Sequence, residues 1–147
     1  MDNVELGEIV NNIYLLHQAL TKSDSEYEEF KGHRNTSNYY ATLIILKKRG
    51  KVPLSEIGNL IGIKRQNMTN ISDTLVGKGL VMRVPCNEDR RVINLSITDK
   101  GEECLKKWQK SRIKKFNKLF AHFNDEDLKK FSLHLKTLNK CSLNIKN

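Results

Sequence analysis

From Lys64 to Asn70 the chain reads Lys-Arg-Gln-Asn-Met-Thr-Asn, a run of side chains suited to addressing nucleic acid. Gln66 and Asn67 can form paired hydrogen bonds with adenine, and Arg65 with guanine, while lysine and arginine also neutralise phosphate. Further on, Asp89-Arg90-Arg91 sets two cations beside one carboxylate in a polar stretch. A narrow A·T minor groove attracts arginine electrostatically. Bond-making chemistry has no comparable grouping. The four histidines are scattered, no Ser/His/Asp or Cys/His arrangement is discernible, and no glycine-rich phosphate loop is present. No catalytic residue, cofactor or metal is therefore expected. Three cysteines, Cys86, Cys104 and Cys141, are odd in number and far apart, which suggests neither a disulfide framework nor a zinc site.

The elements that must position these residues follow from periodicity. Ile63, Met68, Ile71, Leu75 and Val76 fall near the three-or-four spacing of one helix face. Lys64, Arg65, Gln66, Asn67, Thr69, Asn70 and Asp73 fall on the other. Gly79 stops the helix, because glycine tolerates the left-handed conformation of a helix end. A strand is expected from Leu80 to Val84, a polar tip from Cys86 to Arg91, and a second strand from Val92 to Ile97, where Ile93, Leu95 and Ile97 alternate with polar neighbours. A polar helix followed by a basic-tipped hairpin is the layout of a winged helix-turn-helix, with the helix in a major groove and a hairpin arginine in the neighbouring minor groove. On this reading Gln66, Asn67 and Asn70 address bases, Lys64 and Arg65 address phosphate, and Thr69 shares their face. The competing reading is a solvated helix and a charged turn.

Three motifs carry a resemblance to a known family. They are Gly77-Lys78-Gly79-Leu80-Val81 at the helix end, Asp89-Arg90-Arg91 in the hairpin, and Ser96-Ile97-Thr98-Asp99-Lys100-Gly101 at its exit. In this order and spacing the stretch resembles the MarR family of bacterial transcription regulators, and the order of the outer helices fits as well. The resemblance implies a homodimer on double-stranded DNA, more often a repressor, with Asp89 as a brace and Arg90 or Arg91 entering the minor groove. It also implies a pocket for a small aromatic effector, for which Tyr14, His17, Tyr39, Tyr40 and Trp108 are the candidates. Ordinary core packing is the competing reading of those five, and His17 alone reads as a partly buried structural histidine. Relatives usually carry serine as the helix cap where this chain has Lys64, and often arginine where it has Asn70 and Thr74. Some relatives sense peroxide through a cysteine in the first helix, and this chain has none there. Cys86, in the hairpin, is the remaining candidate for oxidation.

The rest of the chain divides into supports. Residues 4 to 20 read as a helix striped with Val4, Ile9, Val10, Ile13, Leu16 and Leu20. Residues 21 to 35 are a charged connection anchored by Tyr27 and Phe30. Thr36 or Ser37 is expected to cap a second helix with Tyr40, Leu43, Ile44 and Leu46 inward. Lys51-Val52-Pro53 suits an edge strand, since proline cannot donate to a central ladder. Ser55 to Ile61 reads as the first helix of the helix-turn-helix, with Gly58 allowing close approach and Gly62 the turn. A long helix is expected from Thr98 to about Phe123. A fresh cap in Asn124–Asp127 precedes a last helix through Leu128, Phe131, Leu135 and Leu138. The expected class is mainly α with a small β component (α+β), in three parts: 1–35, an N-terminal dimerisation helix and connection; 36–98, the DNA-binding lobe; and 99–147, C-terminal dimerisation helices.

Charge agrees with an anionic partner: 26 lysines and arginines against 17 acids leave a net charge of +9. No apolar run reaches the roughly 20 residues a bilayer requires. The first residues lack a signal-peptide pattern, so no membrane partner and a cytoplasmic location are expected. Two other classes stay open. One is a non-specific architectural DNA binder, favoured by the charge. The other is a protein-interaction module, disfavoured by the intact Asp89-Arg90-Arg91.

Overall fold

A computed structural model describes residues 2–21, 28–30, 33 and 36–143. Tyr27, one of the two expected anchors of the connection, lies outside them. The chain falls into two compact units, Met1–Thr36 and Ser37–Asn147.

The first unit holds helix α1, Asn3–Thr21. Asp2 starts it: its Oδ1 accepts the backbone N–H groups of Val4 and Glu5, both at 2.8 Å. The Glu5 side chain in turn accepts the Asp2 N–H, which is the reciprocal capping box. The expected stripe is present but largely uncovered. Val4, Ile9, Val10 and Ile13 are exposed, and only Leu16 and Leu20 are half-buried.

In the second unit α2 spans Thr36–Arg49. Thr36 and Ser37 both lie inside this helix, and neither caps it in the way expected. The Thr36 hydroxyl donates instead to the His33 carbonyl. Gly50, at φ +76°, closes the helix by donating to the Leu46 carbonyl. Strand β1 (Val52–Pro53), helix α3 (Leu54–Leu60), helix α4 (Arg65–Gly77) and strands β2 (Val81–Pro85) and β3 (Ile93–Ile97) follow. The sheet is antiparallel in the order β1-β3-β2, with Val52 opposite Leu95 and Arg83 also opposite Leu95. Pro53 therefore sits on an edge strand, where its missing N–H costs no ladder bond. Each of α3, β2 and β3 is displaced by one residue from its expected start, the usual uncertainty at element ends.

One core unites these elements. Tyr39, Tyr40, Leu43 and Leu46 of α2 are buried with Ile57 of α3, Met68, Ile71 and Leu75 of α4, and Leu80, Val81 and Leu95 of the hairpin. The contrast with the outward side of α4 fixes which of its residues remain available for a partner.

Helix α5 runs Asp99–Leu119, and α6 runs Asp125–Leu143. The expected extension of α5 to Phe123 is not observed. Phe120 turns the chain, stacks on Phe116 at 4.6 Å between ring centroids, and meets Phe123 and Phe131 at 5.1 and 5.4 Å. An aromatic corner thus continued the helical spacing without continuing the helix. Asn124 caps α6 as expected, its Oδ1 accepting the Asp127 N–H, with Asp125, Glu126 and Asp127 in the first turn. Lys47 of α2 holds Glu102 of α5 at 2.6 Å, and that hydrogen bond keeps the Glu102 carboxyl below its ordinary pKa. The tie is therefore complete above the carboxyl's unfolded pKa and is lost as pH falls through the lower folded value.

Candidate nucleic-acid interface

The interface begins with an incomplete helix start. Lys64 occupies the N-cap position of α4 with φ −59° and ψ 145°, and its side chain makes no cap hydrogen bond. No acid stands in the first turn. The first backbone N–H groups thus receive nothing from the cap and favour an anion by the helix dipole. Lys64, Arg65, Gln66, Asn67, Thr69 and Asn70 are all exposed, while Met68, Ile71, Ser72 and Leu75 are buried beneath them. The structure places the six expected residues together on one open face. Thr69 is partly spent, because its hydroxyl donates back to the Arg65 carbonyl at 3.1 Å. Only its lone pairs remain for a partner.

The other end of α4 is anchored firmly. Gly79, at φ +71°, donates to the Val76 carbonyl, and Leu80 donates to the Leu75 carbonyl, the paired bonds of a Schellman motif. Lys100 of α5 places its Nζ 2.8 Å from the Lys78 carbonyl, a cation at a helix C-terminus. The Thr98 hydroxyl donates to the Gly79 carbonyl and accepts the Gly101 N–H. The last turn of α4 and the first turn of α5 are thereby one hydrogen-bonded corner.

The wing tip is shaped by Asp89. Its Oδ1 accepts the backbone N–H of Arg91 at 2.8 Å, and its carbonyl accepts the Val92 N–H at 3.0 Å. The carboxylate braces backbone, leaving the exposed Arg90 and Arg91 side chains to point outward. Arg91 of the wing and Arg65 of α4 both line a cavity of about 360 Å³, together with Leu54, Gly58, Ile63 and Met68. Helix and wing therefore form a continuous basic surface. Gly58 lets the two helices approach closely beneath it: a Cβ there would lie 3.2 Å from the Ile63 carbonyl oxygen, which would have to give by a few tenths of an ångström.

Sequence reasoning missed Arg83. Its guanidinium, in the middle of β2, donates to the fully buried Ser72 Oγ at 3.0 Å and pairs with Asp73 on α4. These bonds fix the rotation of α4 against the wing. An arginine inside the otherwise apolar strand Val-Met-Arg-Val-Pro was the available signal. Arg83→Ala should cost on the order of 1 kcal/mol, since water can partly replace a half-exposed guanidinium. Urea unfolding measures that cost. Arg83→Lys should recover only part of it, because lysine lacks the fork that reaches both partners.

The five effector-pocket candidates are distributed over both units. Tyr39 and Tyr40 are buried on α2, and Tyr40 stacks on Trp108 at 4.7 Å and 16°. The Arg112 guanidinium lies 5.4 Å from the Trp108 ring. An open groove of about 510 Å³ beside them is lined by Trp108, Gln109, Arg112, Ile113, Phe116 and Asn117. Tyr14 and His17 belong to the first unit, on α1. His17 is exposed, contrary to the expected partial burial. Cys86 is half-buried in the wing and Cys104 is buried. Among the described residues no three His, Cys, Asp or Glu side chains converge as a metal site would require. No described helix is long and apolar enough to cross a membrane.

Comparison with known proteins agrees with this geometry. The MarR family model matches residues 36–93. YpoP of Bacillus subtilis, named an uncharacterized HTH-type transcriptional regulator, is 27% identical over 78% of this chain and 81% of its own. MdtR of the same organism, named an HTH-type transcriptional repressor, is 33% identical over 65% of this chain and 63% of its own. A MarR transcriptional regulator from Methanosarcina mazei shares the fold, with a TM-score of 0.72 and 19% identity over 98% of this chain and 100% of that one. A helix-turn-helix with an uncapped polar helix and a basic wing falls where the MarR family model matches, and two relatives named as regulators are similar over most of the chain: residues 36–93 match the MarR family, and the chain has the fold of its winged helix-turn-helix regulators.

Proposed function

We propose that this regulator is a sequence-specific repressor that binds a pseudo-palindromic DNA site as a homodimer. The observation that carries the reading is the single basic face built by the α4 start and the wing tip. Gln66, Asn67 and Asn70 read base edges in the major groove, and Lys64, Arg65 and the α4 amides hold phosphate. Arg90 or Arg91 enters the minor groove, with Asp89 fixing the tip. Repression is favoured by the name of the MdtR relative. Two copies must hold their recognition helices about 34 Å apart to meet successive major grooves. The exposed apolar residues of α1 and α6, among them Ile13, Leu133 and Leu138, are the surfaces that a second copy covers.

A small aromatic effector beside Trp108 would act by binding better to a spacing of the two lobes that DNA does not accept. The groove beside the Tyr40–Trp108 stack supports that part of the reading.

The test is a binding titration on the protein's own upstream DNA, with random competitor at physiological salt. The Arg90→Ala, Arg91→Ala double variant should lose specific binding while its thermal midpoint hardly moves. Gln66→Ala should lose roughly 1–3 kcal/mol of discrimination at one base position. Equal affinity for upstream and random DNA in the unmodified protein would instead favour the architectural reading.

A further inference from the structure

The outward side of α5 carries a second concentration of charge that the recognition surface does not use. Lys106, Lys110, Lys114 and Lys118 succeed one another at four-residue steps, with Lys107 alongside. At 100° per residue the five project within roughly 120° of the helix circumference. Lys106, Lys107, Lys110, Lys114 and Lys118 are all exposed. The opposite side holds Leu105, Trp108, Arg112 and Phe116, which are buried or half-buried. The acids of α5, Asp99, Glu102 and Glu103, all lie before this stripe. Among the described residues none of the five forms an ion pair, and Lys106 reaches only far enough to help lower the pKa of Glu102. Like charges four apart on a helix repel by roughly 0.2–0.5 kcal/mol per pair. The helix therefore carries an unfavourable row that a polyanion would relieve.

The chemistry of the face selects the polyanion. A helix lying on a membrane interleaves apolar side chains with its cations; the lysine sector has none, and the exposed Ile113 stands only at its edge. Single-stranded nucleic acid is held by aromatic stacking, and the face has no aromatic residue. A duplex backbone needs only cations in a row. From Lys106 to Lys118 the helix rises roughly 18 Å, about five base pairs of duplex.

We infer that the α5 lysine stripe is a second, sequence-independent face for duplex DNA, separate from the surface made by α4 and the wing. It rests on the DNA-binding reading only in needing duplex as the partner. It gives the protein affinity for DNA outside its recognition site.

The experiment measures binding to a random 60-base-pair duplex as a function of salt. Replacing Lys106, Lys110, Lys114 and Lys118 with glutamine keeps good helix formers in place. The slope of log K against log salt should then fall by about 3 to 4 in magnitude, near 0.9 per lost contact. Affinity near 0.1 M salt should drop more than tenfold. The corresponding arginine variant should bind as the unmodified protein does, which separates charge from loss of fold. The Arg90→Ala, Arg91→Ala variant should lose site-specific binding while the glutamine substitutions still remove their roughly 3 to 4 units of salt slope from it on random duplex, so failure of the recognition surface and failure of the stripe read differently. The inference is overturned if the glutamine variant keeps the full salt slope, or if the wing variant alone abolishes random-duplex binding. Stripe-dependent binding to phosphatidylserine vesicles tighter than to duplex would overturn it as well.

Discussion

Gly101→Ala should lower the stability of the fold severely, although the change adds one methyl group in the first turn of α5. A Cβ at this position would overlap the Leu80 carbonyl oxygen and lie 2.8 Å from Ile97 Cγ1. The backbone neighbour cannot swing aside. The Leu80 carbonyl accepts the Thr98 N–H, and the Leu80 N–H closes the Schellman motif of α4. The Gly101 N–H is itself bound to Thr98 Oγ1, the cap of α5. Relief therefore requires α5 to lift from the hairpin, breaking the corner that joins recognition helix, wing and long helix. Overpacking against rigid neighbours costs on the order of 3 kcal/mol or more, a large share of the roughly 5–15 kcal/mol that holds a domain. Urea unfolding followed by circular dichroism reads the change directly. A midpoint within error of the unmodified protein would show that the corner is softer than its hydrogen bonds imply. Gly7→Ala, where a Cβ meets nothing within 4 Å, is the control and should be neutral or stabilising.

That corner explains why part of the architecture could be read from the sequence. Gly77-Lys78-Gly79-Leu80 and Thr98-Asp99-Lys100-Gly101 are separated along the chain but meet in space, and each residue type answers a local demand. Gly79 takes a positive φ, Thr98 caps, Lys100 meets a helix carbonyl, and Gly101 admits the Leu80 carbonyl. Such demands are specific to residue type, so they leave a motif. The polar face of α4 was legible for the same reason, since burial of Met68, Ile71 and Leu75 dictates what faces outward.

What escaped the sequence was tertiary in origin. Arg83 binds across from β2 to Ser72 and Asp73, and no period in either element announces the pair. The end of α5 was overrun because Phe120 and Phe123 keep helical spacing while turning onto Phe131. The start of α2 was misjudged because the Thr36 hydroxyl serves the preceding turn and does not cap the helix.

Placing charge on α1, with Ile9→Glu and Ile13→Glu, should leave a species near 17.0 kDa in sedimentation velocity, where the proposed dimer of the unmodified protein sediments at twice that mass. The two side chains lie on one helix face, four residues apart, and are 44% and 57% exposed in the single chain. Val10 and Leu6 extend the same apolar surface at 63% and 44%. Contiguous exposed apolar area of this kind marks an interaction site in a soluble protein, and fully burying each large aliphatic side chain is worth roughly 1.5–3 kcal/mol. A carboxylate in the middle of that surface must be desolvated on association, which removes the gain and adds a penalty. The winged unit itself has no need of these residues, so its helix signal should persist. DNA affinity should fall by about 10²–10⁴, because one recognition helix then binds without the effective concentration that the second supplies. In the unmodified protein the thermal midpoint should rise with protein concentration, as it does whenever folding and association are linked. A double variant that still sediments as a dimer would place the interface away from α1. An unmodified protein that is monomeric at micromolar concentration would remove the geometric basis for reading a two-fold DNA site.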